Sequence, residues 1–216
     1  MMMAATMSEG FPARPPIGRG GGAPSGGPST SRIPLDPAVL ERCQQQDPMA
    51  FRAFVARHER MVFALLSRML GHGPEVEDLA QETFVRAFRA FPEFDPKGPA
   101  KVSTWLLTIA VRLALDSRKK RKLTVVELDD ETANTKVAST TTPESSLEQR
   151  QLGDALSAAA ATLPDDQRAV LILSDLYGLA QAEIAGALEI PEATVKTRLF
   201  RAREKMRAAM SAWRVS

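Results

Sequence analysis

Cysteine is nearly absent from this chain: Cys43 is the only one among 216 residues. A single thiol excludes an internal disulfide and a cysteine-based zinc cluster. Two histidines, His58 and His72, leave little material for a histidine metal site. No apolar run approaches the ~20 residues that span a bilayer, and the first residues lack the charged-then-apolar order of a secretory signal. The expectation is a cytoplasmic protein without metal or cofactor. A charge excess is missing too, since 28 Lys and Arg stand against 26 Asp and Glu, for a net +2. That balance excludes a wholly disordered polyelectrolyte. It does not exclude nucleic-acid binding, where placement outweighs the sum. The length suits one mid-sized domain or two small ones.

Residues 1–35 hold seven glycines and six prolines. Such a segment buries too little apolar surface to offset its chain entropy and reads as a disordered Gly/Pro-rich tail. Helical signals begin at Asp36-Pro37, a cap followed by proline at the first helical position, and recur at Asp47-Pro48. Phe51, Phe54, Val55, His58, Met61, Val62, Leu65, Leu66 and Met69 then repeat at spacings of three and four, one face of a long helix. His58 on that face reads as a packed core histidine. Gly71-His72-Gly73-Pro74 ends the helix. A further helix, 74–91, puts Val76, Ala80, Phe84, Ala87, Phe88 and Phe91 on one side. Its other side carries Asp78, Gln81, Glu82, Val85, Arg86 and Arg89. The next, 102–122, turns Val102, Trp105, Leu106, Ile109 and Leu113 inward and ends in the basic run 118–122. Trp105 falls on the apolar stripe and reads as a core anchor.

Residues 123–142 break the pattern and read as a linker; from 123 to 149 the net charge is −5. Val125-Val126 is readable there as a short extended piece. A second domain, 143–216, opens at Thr142-Pro143 with a helix to about Ala161. Leu163-Pro164-Asp165 starts the next helix, which ends at Tyr177-Gly178. Two more helices, 180–188 and 192–213, have the proportions of a helix-turn-helix. No segment reads as strand. The expected fold is all-α: two small helical domains, 36–122 and 143–216, joined by a flexible linker.

The last helix carries the strongest chemical signal. At about 100° per residue, Val195, Leu199, Ala202 and Met206 cluster on one side. Thr197, Phe200 and Arg201 lie opposite, with Lys196 and Arg203 on one flank and Arg198 on the other, nearer the core edge. Residues 194–214 carry +6, an electrostatic footprint for phosphate. Arginine can also pair with guanine in the major groove, and an apolar group can touch a thymine methyl. Phe200, an aromatic on the outward side of a basic helix, stands out for that reason.

The two halves together resemble a bacterial RNA polymerase sigma factor of the extracytoplasmic-function (ECF) subgroup, over about residues 38–213. Leu163-Pro164-Asp165-Asp166-Gln167-Arg168-Ala169-Val170-Leu171 is similar to the family's LPxxxRxVxxL. Glu183-Ile184-Ala185 with Thr194-Val195-Lys196-Thr197-Arg198-Leu199-Phe200-Arg201-Ala202-Arg203 resembles its EIA…TVKSRLxRAR. Glu77-Asp78-Leu79-Ala80-Gln81-Glu82-Thr83-Phe84 resembles EDLxQETF. Trp105-Leu106, Ile109-Ala110 and Leu113-Ala114-Leu115-Asp116 resemble WLxxIAxNLALD.

The resemblance implies a division of labour. The row Asp78, Gln81, Glu82, Val85, Arg86, Arg89 would dock on the clamp helices of the polymerase β′ subunit. The loop around Lys97 to Ser103 and the helix after it would read and open the −10 element. Lys101, Ser103, Arg112, Asp116, Arg118, Lys119, Lys120 and Arg121 would contact that DNA. The helix-turn-helix would bind the −35 duplex through Lys196, Thr197, Arg198, Phe200, Arg201 and Arg203, with Arg198 the weakest of these. The linker would run through the polymerase, which supplies the β subunit as a further contact, and an anti-sigma factor is an implied partner. Three residues depart from the family pattern. Arg112 stands where Asn is common, Ala180 where a Ser often caps a helix, and Glu189 where Gly commonly ends one.

Two other classes compete. A stand-alone helix-turn-helix regulator would have no reason to carry an exposed DLAQETF. An enzyme would need a convergent catalytic cluster, and the sequence offers no Gly-rich phosphate loop, metal-ligand spacing or Ser/His/Asp set. The expectation is a promoter-specificity factor that is not itself an enzyme.

Overall fold

A computed structural model describes residues 36–96, 98, 101–127 and 147–213; for 124–127, 147–150, 212 and 213 it describes the backbone alone. The expected tail, most of the linker, Lys97 and the Thr142-Pro143 start lie outside the described residues. Among the described residues every regular element is helical: α1 (Pro37–Gln44), α2 (Pro48–Leu70), α3 (Pro74–Ala90), α4 (Val102–Glu127), α5 (Leu147–Ala161), α6 (Asp165–Leu171), α7 (Gln181–Leu188) and α8 (Glu192–Trp213). The fold is all-α.

The helix starts follow from local chemistry. Asp36 accepts a hydrogen bond from the Ala38 amide at 3.0 Å, and Asp47 accepts from Met49 at 2.8 Å and Ala50 at 3.3 Å. Each occupies amide donors left open by the first turn. Proline then sits where its missing N–H costs nothing. Arg42 bonds Asp47 through Nε at 2.8 Å and ties the end of α1 to the start of α2. Gly71 ends α2 at φ 90°, a left-handed region that glycine enters without steric cost.

α2, α3 and α4 pack on one another, with α1 laid across α2. The expected apolar faces are the buried ones: Phe54, Met61, Val62, Leu65, Leu66 and Met69 on α2, and Val76, Ala80, Phe84 and Ala87 on α3. Phe91 stands edge-on to Phe54 at 5.0 Å and to Trp105 at 5.2 Å. Trp105 also lies 4.9 Å from Phe94, so it is held in an aromatic cluster, as its place on the stripe predicts.

α4 departs from expectation in two ways. It runs to Glu127 rather than ending at Lys122, so Val125-Val126 continue the helix and form no extended piece. The helix begins the segment assigned to the linker because nothing between Lys122 and Glu127 is glycine or proline. Its apolar arc is also wider than the stripe read from sequence, since Leu107, Ala110, Val111 and Ala114 are buried as well. The reason is a second set of neighbours: α4 contacts α2 and α3, and also α6 and α7. The buried residues of α1–α4 and of α6–α8 form one continuous cluster.

In the second unit α8 packs on α5, α6 and α7. A π-helical turn, Ile172–Leu176, follows α6, and Gly178 at φ 67° closes it. Arg168, 2% exposed, fans its guanidinium onto four carbonyls: Ala160 at 3.0 Å, Ala161 at 2.7 Å, Leu163 at 3.1 Å and, across the units, Met69 at 2.8 Å. Tyr177 makes a second crossing, its hydroxyl donating to the Met61 carbonyl at 3.1 Å.

His58 is buried, with its ring 4.4 Å from that of Phe54 and Nδ1 donating to the Phe54 carbonyl at 2.9 Å. Burial disfavours the imidazolium and holds its pKa below the ordinary 6.5, against the smaller opposing pull of that carbonyl. The unfolded chain therefore takes the proton more readily. The contribution of His58 to stability is complete above about pH 6.5 and falls as the pH drops below it. Urea midpoints measured from pH 8 to 5 are expected to decline more steeply for the native chain than for His58→Gln.

Candidate functional site

Three surfaces carry the residues singled out in the sequence. On α3, Asp78, Gln81, Val85, Arg86 and Arg89 are exposed and Glu82 is half-buried. The helix turns this row outward because Val76, Ala80, Phe84 and Ala87 fill the opposite side. Arg86 donates to Glu82 at 2.6 Å, one turn away. Next to the row, Pro48, Phe51, Phe84, Val85, Phe88 and Arg89 line a shallow groove of about 430 Å³. Met49, 66% exposed, stands at the start of the same α2 segment.

On α8 the wheel read from sequence is reproduced. Val195, Leu199 and Ala202 are buried and Met206 is half-buried. Lys196, Thr197, Phe200, Arg201 and Arg203 are exposed. Phe200 is 64% exposed: it does not fold back over Met206, and a large ring is held in water on the basic helix. Thr197 spends its hydroxyl on the Ala193 carbonyl at 2.9 Å. Two of the cations are tethered. Arg203 grips Asp175 with both Nε (3.2 Å) and Nη2 (2.6 Å), a fork that strengthens its hold on the proton. Arg198, at the core edge as expected, pairs with Asp166 at 3.0 Å. Lys196 and Arg201 present charge next to Phe200.

The turn between α7 and α8 is built without its usual glycine. Glu189 itself takes the left-handed conformation, φ 55° and ψ 43°, at a cost of roughly 1–2 kcal/mol for a residue with a side chain. At the other end of α7, Ala180 offers no side-chain acceptor. The Glu183 carboxylate instead accepts from the Ala180 amide at 2.8 Å, half of a capping box.

The third surface, on α4, is the one sequence reading places least well. Lys101, Asp116, Lys119, Lys120 and Arg121 are exposed, and Ser103 is half-buried. Arg121 pairs with Glu75 of α3 at 3.0 Å, and Ser117 donates to the same carboxylate. Arg112 and Arg118 turn toward the second unit. Arg118 and Lys122 (2.6 Å) both pair with Asp165 at the start of α6. Arg112 donates to Ala187 O at 2.7 Å and Gly186 O at 3.1 Å, and pairs with Glu189 at 3.0 Å. Two of the departures from the family pattern, Arg112 and Glu189, thus meet in space. The sequence carried no signal for this contact beyond the departures themselves, because the residues lie far apart along the chain.

The all-helical fold, with an outward charged row on α3 and a basic helix-turn-helix formed by α7 and α8, fits a DNA-binding transcription protein. Residues 54–124 match the family described as Sigma-70 region 2, and residues 153–206 match Sigma-70, region 4. The chain belongs to the ECF sigma factors of RNA polymerase. It is 35% identical over 176 residues to the ECF RNA polymerase sigma factor SigW of Bacillus subtilis, covering 78% of this chain and 92% of that one. To the ECF RNA polymerase sigma-E factor of Escherichia coli K12 it is 32% identical over 176 residues, covering 78% and 91%. Among solved structures it is similar to CnrH in complex with the cytosolic domain of CnrY, at TM-score 0.55 and 25% identity, covering 81% of this chain and 96% of that one. The fold also matches the sigma factor RpoE in complex with the anti-sigma factor NepR from Bartonella quintana, at TM-score 0.63 and 22% identity, covering 74% and 96%. The chain therefore directs core RNA polymerase to promoters. A stand-alone regulator would have no use for region 2. No described helix is long and apolar enough to cross a membrane.

Proposed function

We propose that the three surfaces divide promoter recognition as the sequence motifs imply. Asp78, Gln81, Glu82, Val85, Arg86 and Arg89 on α3 dock on the β′ clamp helices. Lys101, Ser103, Arg112, Asp116, Arg118, Lys119, Lys120 and Arg121, on α4 and just before it, engage the −10 element. There a base leaving the stack is read while basic side chains hold the phosphates. α8 lies in the major groove of the −35 duplex, with Lys196, Thr197, Phe200 and Arg201 outermost and Arg198 and Arg203 anchored by their acidic partners. The bond-forming chemistry belongs to the polymerase, the chain works in the cytoplasm, and the same docking faces are open to an anti-sigma factor. The functional units correspond to 36–122 and 143–216, with α4 leading into the linker.

The observation that carries this reading is the outward row on α8: an exposed aromatic ring on a face that also exposes Lys196 and Arg201, away from the buried Val195, Leu199 and Ala202. Run-off transcription by core polymerase on a promoter library tests it. Arg201→Ala is expected to relax preference at one −35 position by about 1–3 kcal/mol. Replacing Lys119 and Lys120 together is expected to weaken binding to all sequences alike and to flatten the salt dependence. The same base-specific effect from both changes would overturn the assignment.

A further inference from the structure

The contact between Arg112 and the end of α7 has an unusual chemical economy. The last carbonyls of a helix have no partner within it. Here the Glu189 and Ile190 amides both close on the Ala185 carbonyl. The next two carbonyls, Gly186 and Ala187, go to Arg112. The negative end of the α7 dipole and the Glu189 carboxylate thus converge on one guanidinium. All three of its nitrogens are engaged: Nε on Ala187, Nη2 on Gly186 and Nη1 on Glu189. Nε has one hydrogen, so an Arg112 seated there has lost its most directional donor for any other ligand. Arg118 and Lys122, further along α4, are held by Asp165 in the same way.

This closed arrangement conflicts with the working one. Elements centred at −10 and −35 lie about 25 base pairs apart, roughly 85 Å at 3.4 Å per pair. Two units that share one buried cluster cannot reach both. We propose that Arg112 and the Glu189-bearing end of α7 form a latch. It holds the second unit over the −10-reading side of α4 and keeps the free chain closed until polymerase and DNA compete for the same groups. The proposal rests on the promoter reading given above. It differs from that reading in assigning Arg112 a second ligand inside the chain.

The test uses the full chain with fluorophores on cysteines introduced at Glu77 of α3 and Lys205 of α8, both exposed; Cys43 is buried. Energy transfer between them reports unit separation in the absence of polymerase. Glu189→Lys keeps a side chain of similar backbone cost but repels Arg112, and Arg112→Asn removes all three contacts. Both are expected to shift the population toward lower transfer, Glu189→Lys by about two- to five-fold in the open-to-closed ratio and Arg112→Asn by more. Glu189→Gly, which leaves every proposed DNA contact in place, is expected to raise binding of the free chain to a single-stranded −10 oligonucleotide by about the same factor, with −35 duplex binding unchanged. Unchanged transfer in both variants overturns the latch. A shift in Arg112→Asn alone overturns the part given to Glu189. If the unmodified chain fails to start transcription with core polymerase, the promoter reading fails instead, whatever the transfer values.

Discussion

Reversing the charge of Asp78 or Arg86 is expected to abolish capture by core polymerase while leaving duplex binding through α8 intact. Both side chains are exposed on a helix whose other side is fixed in the core, so substitution leaves the fold standing. Losing one partner of a desolvated charged contact costs about 2–5 kcal/mol, which is some 30- to several thousand-fold in affinity. Arg86 already donates to Glu82; its reversal sets two carboxylates one turn apart and removes a cation from the row. Gel filtration with core polymerase reads the first effect, and anisotropy with a −35 duplex reads the second. Equal loss in both assays would mean unfolding, and undiminished polymerase binding would remove α3 from the interface.

The largest effect on stability is expected from Arg168→Met. The guanidinium closes the end of α5 through Ala160 and Ala161, the start of α6 through Leu163, and the end of α2 through Met69. Methionine fills similar volume but leaves these carbonyls without donors. Bonds to a charged donor are worth about 1.5–3 kcal/mol each and are not additive, since exposed ends can take water. A loss of about 3–5 kcal/mol follows, a large share of the roughly 5–15 kcal/mol that stabilises a domain. Arg168→Lys is expected to recover only part of it, because an ammonium has three donors and no planar fan. Urea denaturation of the full chain measures both variants. A midpoint unchanged in Arg168→Met would show that water replaces the guanidinium at every one of these carbonyls.

Periodicity and caps made most of this architecture legible. The Asp-Pro starts of α1 and α2, the inward faces of α2 and α3, and the split of α8 between Val195, Leu199 and Ala202 and the outward Phe200 and Arg201 all follow from local rules acting within a few residues. What escaped was set by neighbours far along the chain. Arg112 and Arg118 are side chains of one helix, and nothing within a turn of them reveals that α6 and α7 will cover them. The breadth of the α4 apolar arc was the available clue, since Leu107 and Val111 lie beyond the stripe that α2 and α3 need. Arg168 was visible as part of a motif, but its role as a shared cap depends on three helix ends meeting. The extension of α4 through Val125-Val126 shows the opposite error, in which two β-branched residues suggested extended chain although no breaker stood before them.

The sole thiol has a consequence of its own. Cys43 is fully enclosed, and burial, aided by the nearby Asp47 charge, pushes its pKa up to about 11. At neutral pH it carries almost no thiolate, the nucleophile that attacks peroxides and disulfides. Within the fold Cys43 is therefore a poor nucleophile for thiol exchange. Oxidation of this thiol by that route would first require α1 to part from α2, against which it packs.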